Sequence, residues 1–206
     1  MKIAIIDIDV GNTESLYYCI KKIGYFPEVT SNKEKIINSD KIIFPGVGAF
    51  NKVYENIKQK NFLEVFDKIN KMNKSMLSIC VGYQVLSMSS EENNSRNGLG
   101  FVNGKVYSLK NISDNLSIPH VGWNSCKIDK KSALFDEIKD NSDFYFTHSF
   151  YLDLNKRDQS LQLTKTNYGK DFTSSIKIGN IYGVQFHPEK SQSNGIKLIK
   201  NFIEKC

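Results

Sequence analysis

Arginine is nearly missing from this sequence: of 28 basic side chains, only Arg96 and Arg157 are arginines. Base and phosphate recognition draws heavily on the planar guanidinium fork, so the formal charge of +6 does not call for a nucleic-acid partner. The lysines are spread out, as at Lys58, Lys60, Lys68, Lys71 and Lys74, a pattern that suits a solvated helix face. Also missing is any apolar run near the roughly 18–20 residues that cross a bilayer, so no membrane role is expected. No basic segment followed by a long apolar stretch and a small-residue cleavage site opens the chain. Lys2 instead leads directly into Ile3–Ile6, too short for a secretory signal, and a cytoplasmic protein is expected. The cysteines, Cys19, Cys80, Cys126 and Cys206, form no C-x-x-C pair, so neither a zinc site nor dithiol chemistry is indicated, and no metal or cofactor is expected. A disulfide framework is not expected in an unexported chain of this size. The default for each cysteine is a small buried hydrophobe.

What is present is an ordinary globular composition, 40% hydrophobic and 24% charged over 206 residues, enough for one well-buried domain spanning 1–206. The first half alternates strand and helix. Residues 3–8 read as a buried strand, and residues 13–23 carry Leu16, Ile20 and Ile23 at helical spacing before Gly24, a C-cap. A short strand over 40–44 runs into Pro45-Gly46-Val47-Gly48, and one helical pattern then continues through Ile57, Phe62, Phe66 and Ile69. Residues 75–79 read as another buried strand and 83–88 as the start of a helix.

The second half is richer in strands, expected over 102–109, 125–128 and 144–146. Phe172, Ser174, Ile176 and Ile178 alternate before Gly179-Asn180, a two-residue hairpin turn into a strand over 181–186. Residues 91–97 read as a surface loop, and Ile196, Ile199, Phe202 and Ile203 mark a final helix. The fold class is therefore α/β: a mostly parallel central sheet flanked by helices, with an antiparallel β addition in the second half.

Three segments carry chemistry. In Met76-Leu77-Ser78-Ile79-Cys80-Val81-Gly82-Tyr83-Gln84 an apolar strand meets Cys80, a glycine follows two residues later, and a helix begins. That is the layout of a nucleophile elbow, whose helix N-terminus favours a thiolate; a buried structural cysteine would give the same pattern. In Gly183-Val184-Gln185-Phe186-His187-Pro188-Glu189, extended geometry would project His187 and Glu189 side by side, a carboxylate orienting one imidazole nitrogen while the other serves a thiol. A surface His-Pro-Glu turn is the alternative. In Pro45-Gly46-Val47-Gly48-Ala49-Phe50, glycines between strand and helix would let backbone N–H groups face a developing oxyanion, or would be a plain loop.

Taken together and in this order, the segments resemble the class I, triad-type glutamine amidotransferases, with their elbow and late H-P-E. Asp9-Val10-Gly11-Asn12, Gly98-Leu99-Gly100, Pro119-His120-Val121-Gly122-Trp123-Asn124, His148-Ser149-Phe150 and His187-Pro188-Glu189-Lys190-Ser191 further resemble the glutaminase subunits of imidazole glycerol phosphate synthases, over essentially the whole chain. The resemblance implies a flavodoxin-like α/β fold and a Cys80, His187, Glu189 triad acting on L-glutamine. It implies an oxyanion hole from backbone N–H groups at Val47, Gly48 and Val81, and substrate contacts from Gln84, Ser149 and Phe150. It also implies ammonia transfer to a (β/α)8-barrel cyclase subunit, in a heterodimer that makes imidazole glycerol phosphate and aminoimidazole carboxamide ribotide in histidine biosynthesis. Asn12, Trp123 and Lys190 match interface positions, although Trp123 also reads as a core aromatic. His120 and His148 lack a carboxylate at i+2 and are read as local hydrogen-bonding groups, and Cys19, Cys126 and Cys206 receive no function.

Three residues depart from the family pattern: Ser78 for a glycine in the elbow, Tyr83 for a methionine beside it, and Asn103 for a proline. They leave open a paralogue that feeds ammonia to a sugar-modifying partner in surface-glycan synthesis. A catalytically silent scaffold or regulatory subunit is the reading of another class. The glutaminases of pyridoxal phosphate, anthranilate or GMP synthesis share the triad but not the P-H-x-G-W-N segment.

Overall fold

The computed structural model describes residues 1–94, 97–113 and 115–206. Within them the first half alternates strand and helix: β1 (Ile3–Ile6), α1 (Thr13–Lys22), β2 (Glu28–Thr30), α2 (Lys33–Ile37), β3 (Lys41–Gly46), α3 (Phe50–Gln59), α4 (Leu63–Lys71), β4 (Ser75–Cys80) and the short α5 (Val81–Gln84), with β2 and α2 added to the elements expected. The second half holds β5 (Ser89–Ser90), β6 (Gly104–Ser108), β7 (His120–Ile128), β8 (Ser142–His148), β9 (Phe150–Leu154), β10 (Gln162–Tyr168), β11 (Lys170–Ile178) and β12 (Ile181–Val184), closed by α6 (Gln192–Lys205).

Within the described residues, nine strands form one sheet in the order β2-β1-β3-β4-β12-β11-β10-β7-β8. The first five are mutually parallel, and every pairing from β12 to β8 is antiparallel. Parallel strands lie buried on both faces, which is why β1 and β3 read as continuous apolar runs. A smaller sheet, β5-β6-β9, branches off where β8 gives way to β9 across the single residue Ser149. Helix α1 packs on α6, and α2 on α4.

Local chemistry sets the ends of these elements. Asn12 Oδ1 accepts the Ser15 N–H and caps α1, which stops at Gly24 (φ +95°), whose N–H bonds to the Lys21 carbonyl. The helical pattern expected to run unbroken from Ile57 to Ile69 is two helices. Asn61, at φ +55°, turns the chain, and Phe62 is buried at the join with its N–H on the Ile57 carbonyl. The helix expected over 83–88 is confined to Val81–Gln84, because the N–H groups of Leu99, Gly100 and Phe101 bond to the carbonyls of Val85, Ser87 and Leu86. The Gly179-Asn180 hairpin is present, pairing Ile178 with Ile181. The surface loop expected over 91–97 lies partly outside the described residues; Glu92–Asn94 is a short turn kinked at Asn93, which takes φ +51°. No helix among the described residues is long and apolar enough to cross a membrane.

Candidate active site

Three parallel neighbours, β3, β4 and β12, deliver the three chemical segments to one edge of the sheet. Gly46 at the end of β3 pairs with Cys80 at the end of β4, and Val184 at the end of β12 pairs with Ile79. Cys80 takes φ +54° and ψ −113°, a left-handed conformation that side chains rarely adopt and that turns its sulfur out of the strand. The elbow closes against β3 backbone to backbone. A Cβ on Gly46 would come within 2.2 Å of the Gly82 nitrogen, and one on Gly82 within 2.6 Å of the Phe44 carbonyl oxygen. Both positions therefore require glycine. Ser78 does not disturb the turn; it lies fully buried in β4, and its hydroxyl has no hydrogen-bond partner among the described residues.

His187 and Glu189 lie beside the elbow. The imidazole Nδ1 sits 2.8 Å from Glu189 Oε1, and both side chains are almost wholly excluded from solvent. Their adjacency does not arise in extended geometry as the sequence suggested. β12 ends at Val184, and Pro188–Lys190 is a 3-10 turn that brings the carboxylate back beneath the ring. The turn is pinned by the His187 N–H on the Tyr145 carbonyl, by the Ser191 hydroxyl on the His187 carbonyl at 2.6 Å, and by α6. A Cβ on Gly195 would fall 1.8 Å from the Pro188 carbonyl oxygen, so the helix reaches the turn only at a glycine.

The electrostatics follow from this enclosure. Burial opposes a charge on His187, but the neighbouring Cys80, through its charge and a hydrogen bond, and the Glu189 carboxylate outweigh it and raise the imidazole well above its ordinary value. The arrangement sets a proton-holding imidazole beside the Cys80 sulfur, backed by a carboxylate. Cys19 lies within reach of that carboxylate; burial first, and the Glu189 charge second, push its thiol up to about 11, so it stays protonated.

The sulfur opens into a cavity of about 310 Å³ whose walls include Val47, Gly48, Val81, Gln84, Ser149, Phe150 and His187. Glu189 stands behind His187 and does not reach the cavity wall. Gln84 Nε2 donates to the Phe150 carbonyl at 2.8 Å. The loop carrying Val47 is not arranged as expected of an oxyanion hole: the Val47 N–H is donated to the Val10 carbonyl at 2.6 Å, away from the elbow. Gly48 beside it holds φ +94°.

Lys190 also lines the cavity, with its Nζ 5.8 Å from the centre of the Tyr145 ring, and Trp123 meets the same ring edge-on from the paired strand. Trp123 is 47% exposed, so it is not a core aromatic. Asn12 spends its side chain on capping α1.

Sequence reasoning missed Glu92, Pro119, Thr147 and His148 as cavity walls. Glu92 was hidden in a polar stretch with no periodicity. Its carboxylate accepts the Phe50 N–H at 2.8 Å at the start of α3, and burial raises it above the usual carboxylate range. His148 and His120 do bond locally. His148 Nδ1 lies 2.8 Å from the Phe150 carbonyl and Nε2 lies 3.0 Å from His120 Nδ1. Because a carbonyl only accepts, His148 carries its proton on Nδ1 and takes that of His120 on Nε2. Burial depresses both, to about 3 and about 4, which keeps the pair neutral. The described residues contain no group of three or more metal-ligating side chains placed to hold an ion.

Residues 4–206 match the family described as glutamine amidotransferase class-I. The chain is 42% identical over 205 residues to the imidazole glycerol phosphate synthase subunit HisH 2 of Methanococcus maripaludis, covering 99% of this chain and 100% of that one. It is 40% identical over 210 residues to subunit HisH of Methanosarcina barkeri, covering 100% and 99%. Among solved structures, PurLQS of Thermotoga maritima superposes with a TM-score of 0.76 at 15% identity, over 98% of this chain and 97% of that one. The glutaminase domain of Trypanosoma brucei CTPS with bound acivicin superposes with a TM-score of 0.68 at 14% identity, over 100% and 95%. A cysteine elbow backed by histidine and glutamate, on this fold and with these relatives, places the chain in the class-I glutamine amidotransferase family, among the HisH subunits of imidazole glycerol phosphate synthase.

Proposed function

We propose that this chain hydrolyses L-glutamine to glutamate and ammonia and passes the ammonia to a (β/α)8-barrel cyclase partner in histidine biosynthesis. The observation that carries the proposal is the buried line from Glu189 through His187 to Cys80, ending at a cavity with room for an amino-acid side chain. The Cys80 thiolate attacks the side-chain amide carbon of glutamine. The resulting oxyanion is held by the Val81 N–H and, once its peptide has turned off the Val10 carbonyl, by the Val47 N–H, with Gly48 giving the loop freedom to turn. The C–N bond then breaks as His187 passes its proton to the departing ammonia, leaving a thioester. His187 next takes a proton from water, whose oxygen attacks the thioester carbon and releases glutamate and Cys80.

Gln84 and the Ser149-Phe150 backbone hold the substrate in this reading. Glu92 faces the same cavity and is the anionic partner for the glutamine α-ammonium. Exchange of Glu92 for glutamine keeps an acceptor for the Phe50 N–H but removes the charge. We expect KM for glutamine to rise by about tenfold or more with kcat changed far less, as loss of a hydrogen-bonded charge pair predicts. Steady-state glutamate release checks this, and an unchanged KM would exclude Glu92 from the binding site. Exposed Trp123, with Lys190 and Asn12, forms the docking face for the barrel subunit in a heterodimer. Glutamate release from glutamine by the purified chain, with and without the partner and with Cys80→Ala as control, tests the proposal as a whole. The turn of the Val47 peptide is excluded if that N–H remains on the Val10 carbonyl in a structure with the thioester formed.

A further inference from the structure

Gln185 takes no part in the chemistry set out above, yet it lies directly against the reacting sulfur. It sits between Val184 and Phe186, and all three are fully buried. A leucine would be the cheap choice at such a position, because an amide brings polar atoms that each need a partner. Gln185 finds them inside the site. Its Oε1 accepts from Gln84 Nε2 at 3.0 Å, and its Nε2 lies 3.8 Å from Cys80 Sγ.

Fixed neighbours decide which way round that amide lies. The Phe150 carbonyl can only accept, and it takes Gln84 Nε2 at 2.8 Å, so the NH2 end of Gln84 is set. The second hydrogen of that NH2 meets Gln185, which must offer its oxygen there and turn its own NH2 toward the sulfur. Reversing Gln185 would set one NH2 against another and a carbonyl against the sulfur.

The sulfur has neighbours of opposite preference. The Thr147 carbonyl, 3.9 Å away, can only accept and so suits the protonated thiol. An amide N–H on the other side suits the anion, the form that attacks carbon. We propose that Gln185 is a hydrogen-bond donor to the Cys80 sulfur that favours its thiolate and aims it, with its orientation locked through Gln84 by the Phe150 carbonyl. The proposal rests on the glutaminase reading and adds a group to it. Gln185 is not among the residues that line the cavity, so its effect falls on the nucleophile and not on glutamine binding.

Iodoacetamide, small and neutral, reports the thiolate at Cys80 without needing the glutamine site, and peptide mass analysis assigns the modified residue. In Gln185→Met, close in length but without a donor, the acid limb of the alkylation rate should move up by about one pH unit, roughly a tenfold slower reaction at a pH on that limb. KM for glutamine should stay within about twofold while kcat falls. Gln84→Met, which releases the lock, should displace the limb in the same direction by less, and no displacement would overturn the lock. A folded Gln185→Met with the wild-type profile would overturn the proposal even if its melting temperature fell, since a merely structural amide moves stability alone. Should that variant not fold, the wild type decides. The Gln185 side-chain amide signal, followed with 15N-labelled glutamine, should titrate with the alkylation midpoint, and a signal indifferent to pH overturns the proposal. Glutamate release by the wild type is measured alongside. Its absence defeats the glutaminase reading, whereas release combined with an unshifted variant profile defeats only the role of Gln185.

Discussion

Replacement of Cys80 by alanine is expected to cut glutamate release by about four orders of magnitude or more, to the level of background hydrolysis, while the protein stays folded. Loss of a covalent nucleophile leaves only what binding and oxyanion stabilisation give to direct attack by water. The exchange is a clean one for physical reasons. Cys80 sits at φ +54°, where the cost arises from having a Cβ, so alanine inherits the same strain and adds none. The residue is 3% exposed and alanine removes a single sulfur, so the loss of packing is small. The one side effect is electrostatic: His187 loses the neighbour that contributes most to holding its proton against burial. The measurement is coupled glutamate detection beside a thermal melt. A folded Cys80→Ala protein that releases glutamate at the wild-type rate would sink the assignment.

Exchange of Glu189 for glutamine is expected to lower kcat/KM by about 10²–10⁴, the range that follows when the carboxylate of such a triad is made an amide. The second oxygen of Glu189 has no hydrogen-bond partner among the described residues. A glutamine there has two poor choices. With its oxygen on His187 Nδ1, it buries an NH2 where the unpartnered oxygen was. With its NH2 on Nδ1, it forces the imidazole proton to Nε2, and the neutral ring then has no lone pair directed at the sulfur. Either way the imidazolium loses its counter-charge. Single-turnover rates of thioester formation, read beside the melting temperature, separate a chemical effect from a folding one. Activity within about fivefold of wild type would show that Glu189 is not the group that sets His187.

Much of the fold was legible because the parallel strands are buried on both faces and advertise themselves as apolar runs, as in Ile3–Ile6 and Lys41–Gly46. The exposed β2 and the polar β10, whose Thr164 bonds to the hydroxyls of Ser174 and Ser175 and whose Thr166 meets the Cys126 thiol, gave no such signal. The break at Asn61 was invisible because apolar spacing continues across it, and only the backbone reverses. In the site, Cys80, His187 and Glu189 stood out because each lies in a short segment of unusual composition. Glu92 and Gln185 did not. Glu92 reaches the cavity from a polar loop, and Gln185 looks like one polar residue in a buried strand until the sulfur beside it is known. The direction of the Val47 N–H depends on a carbonyl 37 positions earlier, at Val10, which no local pattern encodes.

The position of β12 has a consequence for the order in which the molecule assembles. This late strand is inserted in the middle of the sheet, between β4 and β11, and not added at a border. Until residues 181–184 have been made and seated, the nucleophile strand has an open hydrogen-bonding edge, and the parallel and antiparallel halves have no strand to join them. The imidazole and carboxylate follow immediately behind those residues. A nascent chain thus holds Cys80 for more than 100 residues of synthesis before His187 and Glu189 exist to act with it, and the seating of the strand that completes the sheet is also what brings them to the sulfur.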